Sequence, residues 1–235
     1  MKRLILYILT FVLAALYPSV ADAQNVVASW SATDGTGESK SSEAGDELNA
    51  ITEAPINCNL SVRAEEEDGW TANFYEWKII HLPDSATITR HEPNIDYTFS
   101  QSGSYHIIYT VKMTKEDQEL DFSNVDEPYQ LTISESKLRM PNAFSPNGDG
   151  INDTYQPIEH QSLISFKAMI FNRWGKKVYE WSDASSTGWD GTINGSPAPQ
   201  GVYFCNVEAK GSDGRTYHIK TDVNLLREYM ETSNQ

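Results

Sequence analysis

The amino-acid sequence predicts an all-β protein built of antiparallel β-sandwiches. Apolar and polar residues alternate in short runs, and in residues 56–62 every second side chain is apolar, which is the period of a half-buried strand. Clusters of Pro, Asp, Gly and Ser separate the runs, as at residues 82–85 and 100–103, and such clusters are typical of turns. Helical periodicity is nearly absent. Short strands at this spacing favour a sandwich.

Residues 1–23 have the pattern of a secretory signal peptide. Lys2 and Arg3 precede an apolar run over residues 4–16, and Ala21 and Ala23 offer a cleavage site for small residues. The run is shorter than the roughly 20 residues that a helix needs to cross a bilayer, although a signal-anchor stays open as the alternative. No second apolar run follows, so no transmembrane helix is expected in the mature chain.

The chain is strongly acidic, with 18 basic and 33 acidic residues and a net charge of −15. Such a surface repels nucleic acid and anionic membranes and favours cations or basic partners. Acidity is also an ordinary route to solubility for an exported protein. We therefore expect no nucleic-acid partner.

Two domains fit the length that remains after the signal peptide, since domains of about 100–150 residues are the most common. The first is expected over residues 24–135, a linker over 136–139, and the second over 140–235. In the second, strand patterns occupy residues 164–171, 177–181, 201–209 and 216–226, with Gly-, Asp- and Asn-rich turns between them.

The first of these regions resembles an immunoglobulin or PKD-like domain. Trp77 lies one strand after Cys58, where such folds place their core tryptophan, and residues 103–107 are similar to the tyrosine corner around Tyr105. Ile107 occupies the position of the usual second cysteine. The resemblance implies an Ig-like antiparallel sandwich, and the second region is expected to be a further one in tandem.

The two cysteines are expected to be buried free thiols. Cys58 and Cys205 each lie on the apolar face of a strand, in different predicted domains. Their α-carbons would then be farther apart than the roughly 7 Å that a disulfide allows. No disulfide is expected.

The segment "PNAFSPNGDGIND", residues 141–153, has two interpretations. Ser145, Asn147, Asp149 and Asp153 stand at positions one, three, five and nine of a loop whose sixth residue is Gly150, which is a spacing similar to that of calcium loops. Position twelve is Gln156 rather than a bidentate Glu. The alternative is a system of Asn-Gly and Asp-Gly turns between strands.

Further motifs follow this segment in order: "IFNRWG" from Ile170, "WDGT" from Trp189, "GVYF" from Gly201 and "VNLLR" ending at Arg227. Together they closely resemble the gliding motility-associated C-terminal domain, the type B sorting domain of type IX secretion substrates, over about residues 140–227. Two features depart from the family pattern, namely Cys205 in place of an aromatic residue and the extension 228–235. The resemblance assigns these motif residues: Asn142, Phe144, Pro146, Asn147, Gly148, Asp149, Gly150, Asn152, Asp153, Asn172, Arg173, Trp174, Gly175, Trp189, Asp190, Gly191, Gly201, Tyr203 and Arg227.

The resemblance implies an exported cell-surface or extracellular protein. Its implied partners are the type IX outer-membrane translocon and a PorP/SprF-like outer-membrane protein, while the Ig-like domain would bind a macromolecule that the sequence does not specify. For four motif residues we expect a folding role. Trp174 would cap the sheet end, Arg173 would pair with a carboxylate or a backbone carbonyl, and Trp189 with Asp190 would anchor a turn by a buried ring.

No sequence motif for catalysis is present. The sequence contains no Gly-x-Ser-x-Gly elbow, no phosphate-binding glycine loop and no His-Glu-x-x-His helix, and its five histidines are scattered. A non-enzymatic protein is expected, with calcium as the one possible cofactor. Two alternatives stay open: a calcium-dependent adhesion or binding module, and an accessory subunit of the surface secretion or gliding machinery.

Overall fold

The computed structural model describes residues 26–66 and 69–227. Within these ranges the chain forms strands and two single 3-10 turns, Ser42–Ala44 and Leu48–Ala50, and no α-helix. The predicted all-β class is thereby confirmed. The predicted signal peptide, residues 1–23, and the extension 228–235 lie outside the described residues.

The N-terminal strands form two antiparallel sheets that face each other. One has the order β2-β1-β3-β6 and the other β5-β4-β7-β8, while β9 pairs with the first half of β7. Their bounds are β1 Val26–Thr33, β2 Ser39–Ser41, β3 Ile56–Ala64, β4 Thr71–His81, β5 Ala86–Arg90, β6 Asn94–Phe99, β7 Gly103–Lys115, β8 Gln118–Ser123 and β9 Tyr129–Ile133.

The core of this sandwich follows from the alternation of each strand. In β3 the even-numbered residues from Ile56 to Val62 are buried, and their odd-numbered neighbours face outward. Trp77 is fully buried between the sheets, where the Ig-like resemblance puts it. The Tyr105 hydroxyl donates to the carbonyl of Gln101 at 2.8 Å, which is the tyrosine corner that the sequence indicates. This bond fixes the chain as it enters β7.

The C-terminal strands form one five-stranded sheet and two short ribbons. The sheet has the order β11-β18-β17-β13-β14, and only the β11–β18 pair is parallel. The ribbons are β10–β12 and β15–β16. The bounds are β10 Lys137–Arg139, β11 Ala143–Phe144, β12 Glu159–Gln161, β13 Leu163–Phe171, β14 Lys177–Trp181, β15 Thr192–Ile193, β16 Ser196–Pro197, β17 Gly201–Gly211 and β18 Thr216–Leu225. The four long strands match the predicted segments within two residues at each end.

One face of the five-stranded sheet is closed by aromatic side chains from loops. Tyr155 and Trp189 are both fully buried and pair through two backbone hydrogen bonds of 2.8 and 3.0 Å. The Trp189 ring lies 5.2 Å from Phe144 and 5.0 Å from Tyr203, measured between ring centroids. Burying such rings is the largest apolar contribution available to a small domain. The loops that carry them are therefore part of the core.

A chain of serine hydrogen bonds joins the two sets of strands. The Ser102 amide donates to the Ser212 carbonyl at 3.0 Å, and the Ser212 amide donates to the Ser162 carbonyl at 3.0 Å. The hydroxyl of Ser162 accepts from the Ala54 amide at 3.2 Å, and that of Ser212 donates to the Ser134 carbonyl at 3.1 Å. Ser162 and Ser212 are buried. We call this contact the serine junction.

The predicted linker, residues 136–139, is also held in place. It contains β10, and the hydroxyl of Ser136 donates to Asp213 Oδ1 at 2.7 Å and lies 2.9 Å from the Tyr217 hydroxyl. Ser136 is buried against Gly211. A β-carbon at Gly211 would lie 2.0 Å from Ser136 Oγ, so this contact requires glycine.

Candidate functional site

The motif residues that the resemblance assigns come together at one end of the five-stranded sheet, which we call the motif end. The strand register places Phe171 of β13 beside Phe204 of β17, and Phe204 beside Asp222 of β18. Phe144 of β11 pairs with Leu225 at the end of β18. The segments of residues 141–153, 172–175, 189–192 and 201–204 are therefore neighbours in space, although they are far apart in sequence.

The loop of residues 145–153 is organised by the carboxylate of Asp153. Its Oδ1 accepts from the amides of Asn147 and Gly148 at 3.0 and 2.7 Å, and its Oδ2 accepts from the amide of Gly150 at 2.8 Å. These donors, the Gly148 amide foremost, hold the pKa of Asp153 below its usual range. The carboxylate thus faces the backbone of its own loop.

The other polar residues of the loop bond to one another. Asn147 Nδ2 donates to Asp149 Oδ2 at 2.9 Å, Asn147 Oδ1 accepts from the Asp149 amide at 3.1 Å, and Asp149 Oδ1 accepts from the Ile151 amide at 2.7 Å. The Ser145 amide donates to the carbonyl of Asn152 at 2.8 Å. The loop is built from the turn interactions that Asn and Asp form with nearby amides.

The four candidate calcium ligands, Ser145, Asn147, Asp149 and Asp153, are close in space, but their side-chain oxygens are largely used within the loop. In the described ranges no group of three or more His, Cys, Asp or Glu side chains is placed to share a metal ion. Calcium ligation would have to compete with the amide donors to Asp153. The calcium site stays a prediction.

The segment before this loop lies along the end of β18. The carbonyl of Asn142 accepts from the amide and from Nδ2 of Asn224 at 2.9 and 3.1 Å, and the carbonyl of Phe144 accepts from the Leu226 amide at 3.0 Å. Phe144 is buried. The first and the last motif are therefore hydrogen-bonded to each other.

Trp189 is the buried anchor that its turn predicts. Its Nε1 donates to the carbonyl of Thr192 at 2.7 Å, and Asp190 Oδ1 accepts from the Thr192 amide at 2.9 Å. Gly191 has φ of +77°, and a β-carbon there would lie 2.9 Å from Pro146 Cγ. Glycine is required both by the left-handed backbone and by the close approach of the neighbouring loop.

Arg227 closes the motif end by binding two carbonyl oxygens. Its Nε donates to Ala198 at 3.1 Å and its Nη2 donates to Gly191 at 2.8 Å. The arginine at the end of the family motif thus holds together two loops that precede it by about 30 residues. Its role in this structure is that of a clamp.

Two tyrosines at the motif end bind backbone carbonyls in the same way. The hydroxyl of Tyr203 donates to Pro199 at 2.9 Å, four residues earlier, in the arrangement that Tyr105 forms with Gln101. The hydroxyl of Tyr155 donates to Pro141 at 3.0 Å. The resemblance did not single out Tyr155, and its only signal in sequence was a large aromatic residue directly after a polar loop.

The hairpin loop of residues 172–175 corrects two predicted folding roles. Trp174 does not cap the sheet end, because 74% of it is exposed. Arg173 stacks its guanidinium 4.3 Å from the centroid of the Trp174 ring, and within the described residues it forms neither the carboxylate pair nor the carbonyl hydrogen bond that was expected. Asn172 Oδ1 accepts from the amides of Trp174 and Lys176 at 3.0 Å each, and Gly175 has φ of +74°. The backbone of the loop is therefore fixed, while its aromatic side chain faces solvent.

A histidine–aspartate pair lies in the N-terminal sandwich, but its geometry does not suit a base. His81 Nδ1 is 2.7 Å from Asp84 Oδ1, and Nε2 is 3.0 Å from the backbone carbonyl of Ser102. Both ring nitrogens face acceptors within the protein, so neither is open to a substrate. The amide of Ala86, followed by His81, holds the pKa of Asp84 below its usual range. The pair secures a turn beside Tyr105.

Both cysteines are buried and unpaired. Burial raises the pKa of Cys58 to about 12 and that of Cys205 to about 11. Thiols with such values are protonated at neutral pH and react slowly. Over residues 26–66 and 69–227, no helix is long and apolar enough to span a membrane.

Residues 138–221 match the family model described as the CHU_C type IX secretion signal domain. The resemblance drawn from the motifs is thereby confirmed for the C-terminal part of the chain. This domain indicates export across the outer membrane to the cell surface or the medium. It also implies an interaction with the secretion machinery.

Three solved structures show a weak similarity to the chain. The chicken CNTN1 FN1–FN3 domains share 9% identity, covering 72% of this chain and 64% of that chain, with a TM-score of 0.24. A tetra-tandem repeat from the extending region of a large adhesion protein shares 10%, covering 87% and 68%, with a TM-score of 0.24. The Bacteroides ovatus protein SGBP-B, in complex with a mixed-linkage heptasaccharide, shares 13%, covering 76% and 45%, with a TM-score of 0.25. At these scores the similarities carry no argument about function. No curated protein matches the chain.

Proposed function

Because residues 138–221 match a type IX secretion signal domain, we propose that the chain is a non-enzymatic protein of the cell surface or the medium. Its folded C-terminal part is the sorting signal, and the Ig-like sandwich is the passenger that binds another macromolecule. The signal acts by its folded surface, which the translocon contacts through a PorP/SprF-like outer-membrane protein.

One observation carries this proposal. The motif residues meet at a single end of one sheet, and most of them serve to fix that end: Asp153 orders its loop, Trp189 fills the core and Arg227 clamps two turns. A set of residues that serves mainly to build and fix one surface suits recognition better than catalysis. The bonding of His81 supports the same reading, since both of its ring nitrogens are engaged within the fold by Asp84 and by the carbonyl of Ser102.

The test is to delete residues 140–235 and to fractionate the cells. The truncated chain is expected in the periplasm, and a level at the surface or in the medium equal to that of the full chain would refute the sorting role. Because the deletion removes the contacts of Ser162 and Ser212, resistance of the retained sandwich to protease serves as the control that it still folds. As the reciprocal experiment, residues 134–235 fused to an exported reporter are expected to carry it outside.

A further inference from the structure

An aromatic and basic patch lies at the motif end, on the side of the sheet that faces away from the core. The tip of the β13–β14 hairpin contributes Arg173 and Trp174, and the outer face of β17 contributes Val202 and Phe204. The exposed fractions are 74% for Trp174, 48% for Val202 and 44% for Phe204. We call these four residues the tip patch.

The exposure of Val202 and Phe204 follows from the alternation of β17. Val202 and Phe204 face outward while their neighbours Tyr203 and Cys205 are buried in the core. Phe204 also pairs with Phe171 of β13, which adds an apolar side chain to the same face. Exposed apolar groups that are contiguous on a soluble protein mark an interaction surface more often than isolated ones do.

The fold gains little from the Trp174 ring, and this separates it from Trp189. Trp189 is fully buried with its Nε1 bonded, whereas Trp174 is mostly in solvent and its ring contact is the guanidinium of Arg173. The loop backbone below it is fixed by Asn172. A rigid backbone that presents a stacked Trp and Arg is pre-organised for binding, and these two residue types are enriched among the side chains that dominate protein interfaces.

Cations outnumber acids directly beside the tip patch, whereas the chain as a whole is strongly acidic. Residues 24–139 contain eight basic and 21 acidic residues, whereas residues 140–227 contain eight basic and nine acidic ones. Within the described ranges Arg173, Lys176 and Lys220 form no ion pair. Arg173 and Lys220 line a shallow depression beside Phe204, and Asp222 is the one acid that lines it.

From this geometry we propose that the tip patch is the docking surface of the sorting domain. Its occupant is a protein of the export machinery that has an apolar cleft for Trp174 and acidic side chains for Arg173 and Lys176. Charge complementarity is the basis for the acidic partner, since unpaired cations at the rim of an apolar patch favour an acidic surface and speed its encounter. The proposal rests on the sorting function proposed above and assigns it to particular residues.

Point variants in the full-length chain test the proposal. Trp174→Ser and the double variant Arg173→Glu with Lys176→Glu are expected to reduce the exported fraction at least tenfold and to leave folded protein in the periplasm. Val125→Ser is the matched control, because Val125 is 59% exposed but lies in the N-terminal sandwich, and Lys210→Glu controls for a charge change on β17. Melting temperatures of the purified variants within about 1 °C of the parent exclude a folding defect.

Export of both tip variants at the parental level would overturn the docking surface. The deletion of residues 140–235 keeps this failure distinct from a failure of the sorting role, because the deletion still blocks export if only the assigned surface is wrong. Flotation with vesicles containing anionic lipid tests whether the tip patch binds a lipid surface instead of a protein. Binding to these vesicles that is lost in Arg173→Glu with Lys176→Glu would assign the patch to a lipid surface and overturn the protein partner.

Discussion

Arg227 offers the sharpest test of how the motif residues act, because it can be either a clamp or a contact for the exporter. The variant is Arg227→Met, which keeps an unbranched side chain and removes the hydrogen bonds to the carbonyls of Ala198 and Gly191 at 3.1 and 2.8 Å. A hydrogen bond from a charged group contributes about 1.5–3 kcal/mol. Arg227 is only partly buried, so we take the lower value for each bond and expect a loss of about 3 kcal/mol in the free energy of unfolding.

Urea denaturation measures this loss. With a slope of about 2 kcal/mol/M, the midpoint for the C-terminal part should fall by about 1.5 M. Amide hydrogen exchange over residues 189–198 localises the effect, since opening of the clamp should speed exchange there first. Arg227→Lys should lose less, because an ammonium can still reach one carbonyl. Lys210→Met is the control, as it removes an exposed cation from β17.

The outcome separates the two roles. If Arg227→Met and Lys210→Met unfold within about 0.5 kcal/mol of each other while export of the Arg227 variant fails, the clamp is refuted and the residue contacts the machinery directly. If both stability and export fall, and export recovers at lower growth temperature, the residue acts through the fold.

Three further predictions concern the contact between Gly211 and Ser136 and the loop of residues 145–153. Gly211→Ala should lower the free energy of unfolding by about 1–3 kcal/mol through overpacking against Ser136, and it should open residues 134–139 to proteolysis. Adding Ser136→Gly should restore protection only in part, because the new β-carbon would still lie 2.6 Å from Asp213 Oδ1. Unchanged digestion of the single variant would contradict the contact. Asp153 has a lowered pKa in the folded state, so the stabilisation by its carboxylate is complete above the unfolded pKa of about 3.9 and is lost as the pH falls below it. Between pH 7 and pH 3 the melting temperature of Asp153→Asn should fall less than that of the parent, because the variant has no carboxylate to protonate and places an amide group against the Gly150 N–H. An identical fall in melting temperature would count against this role of Asp153. Melting with millimolar calcium and with chelator tests the metal hypothesis: the bonded loop leads us to expect equal midpoints, and a calcium-dependent rise would make it a metal site.

The strands could be predicted because their alternation is decided locally. From Phe166 onward β13 places every second side chain in the core, and Tyr203, Cys205 and Val207 of β17 show the same pattern without interruption. The turn anchored by Trp189 was predictable for a similar reason. Asp190 and Gly191 next to it fix the backbone of the turn locally, and the Trp189 ring then faces the core.

The exposure of Trp174 could not be read from the sequence. Like Trp189 it lies in a Gly-containing turn next to a strand, but whether a neighbouring element covers the ring depends on tertiary packing. Whether the loop of residues 145–153 is a turn or a metal site could not be decided from the sequence for another reason. The oxygen spacing that suits a cation also lets Asp153 accept from the amides of Asn147, Gly148 and Gly150, and the same residue types serve both purposes.

The serine junction was also beyond prediction, since Ser102, Ser162 and Ser212 are ordinary turn residues in sequence. Only the fold brings their backbone groups within hydrogen-bonding distance.

The serine junction has a mechanical consequence. Neighbouring domains joined by short linkers usually move relative to each other. Here the linker contains strand β10, and Ser136 and Ser134 on its N-terminal side are hydrogen-bonded to Asp213 and Ser212. Because these hydrogen bonds join both sets of strands, we expect the N-terminal sandwich and the C-terminal sheet to reorient together.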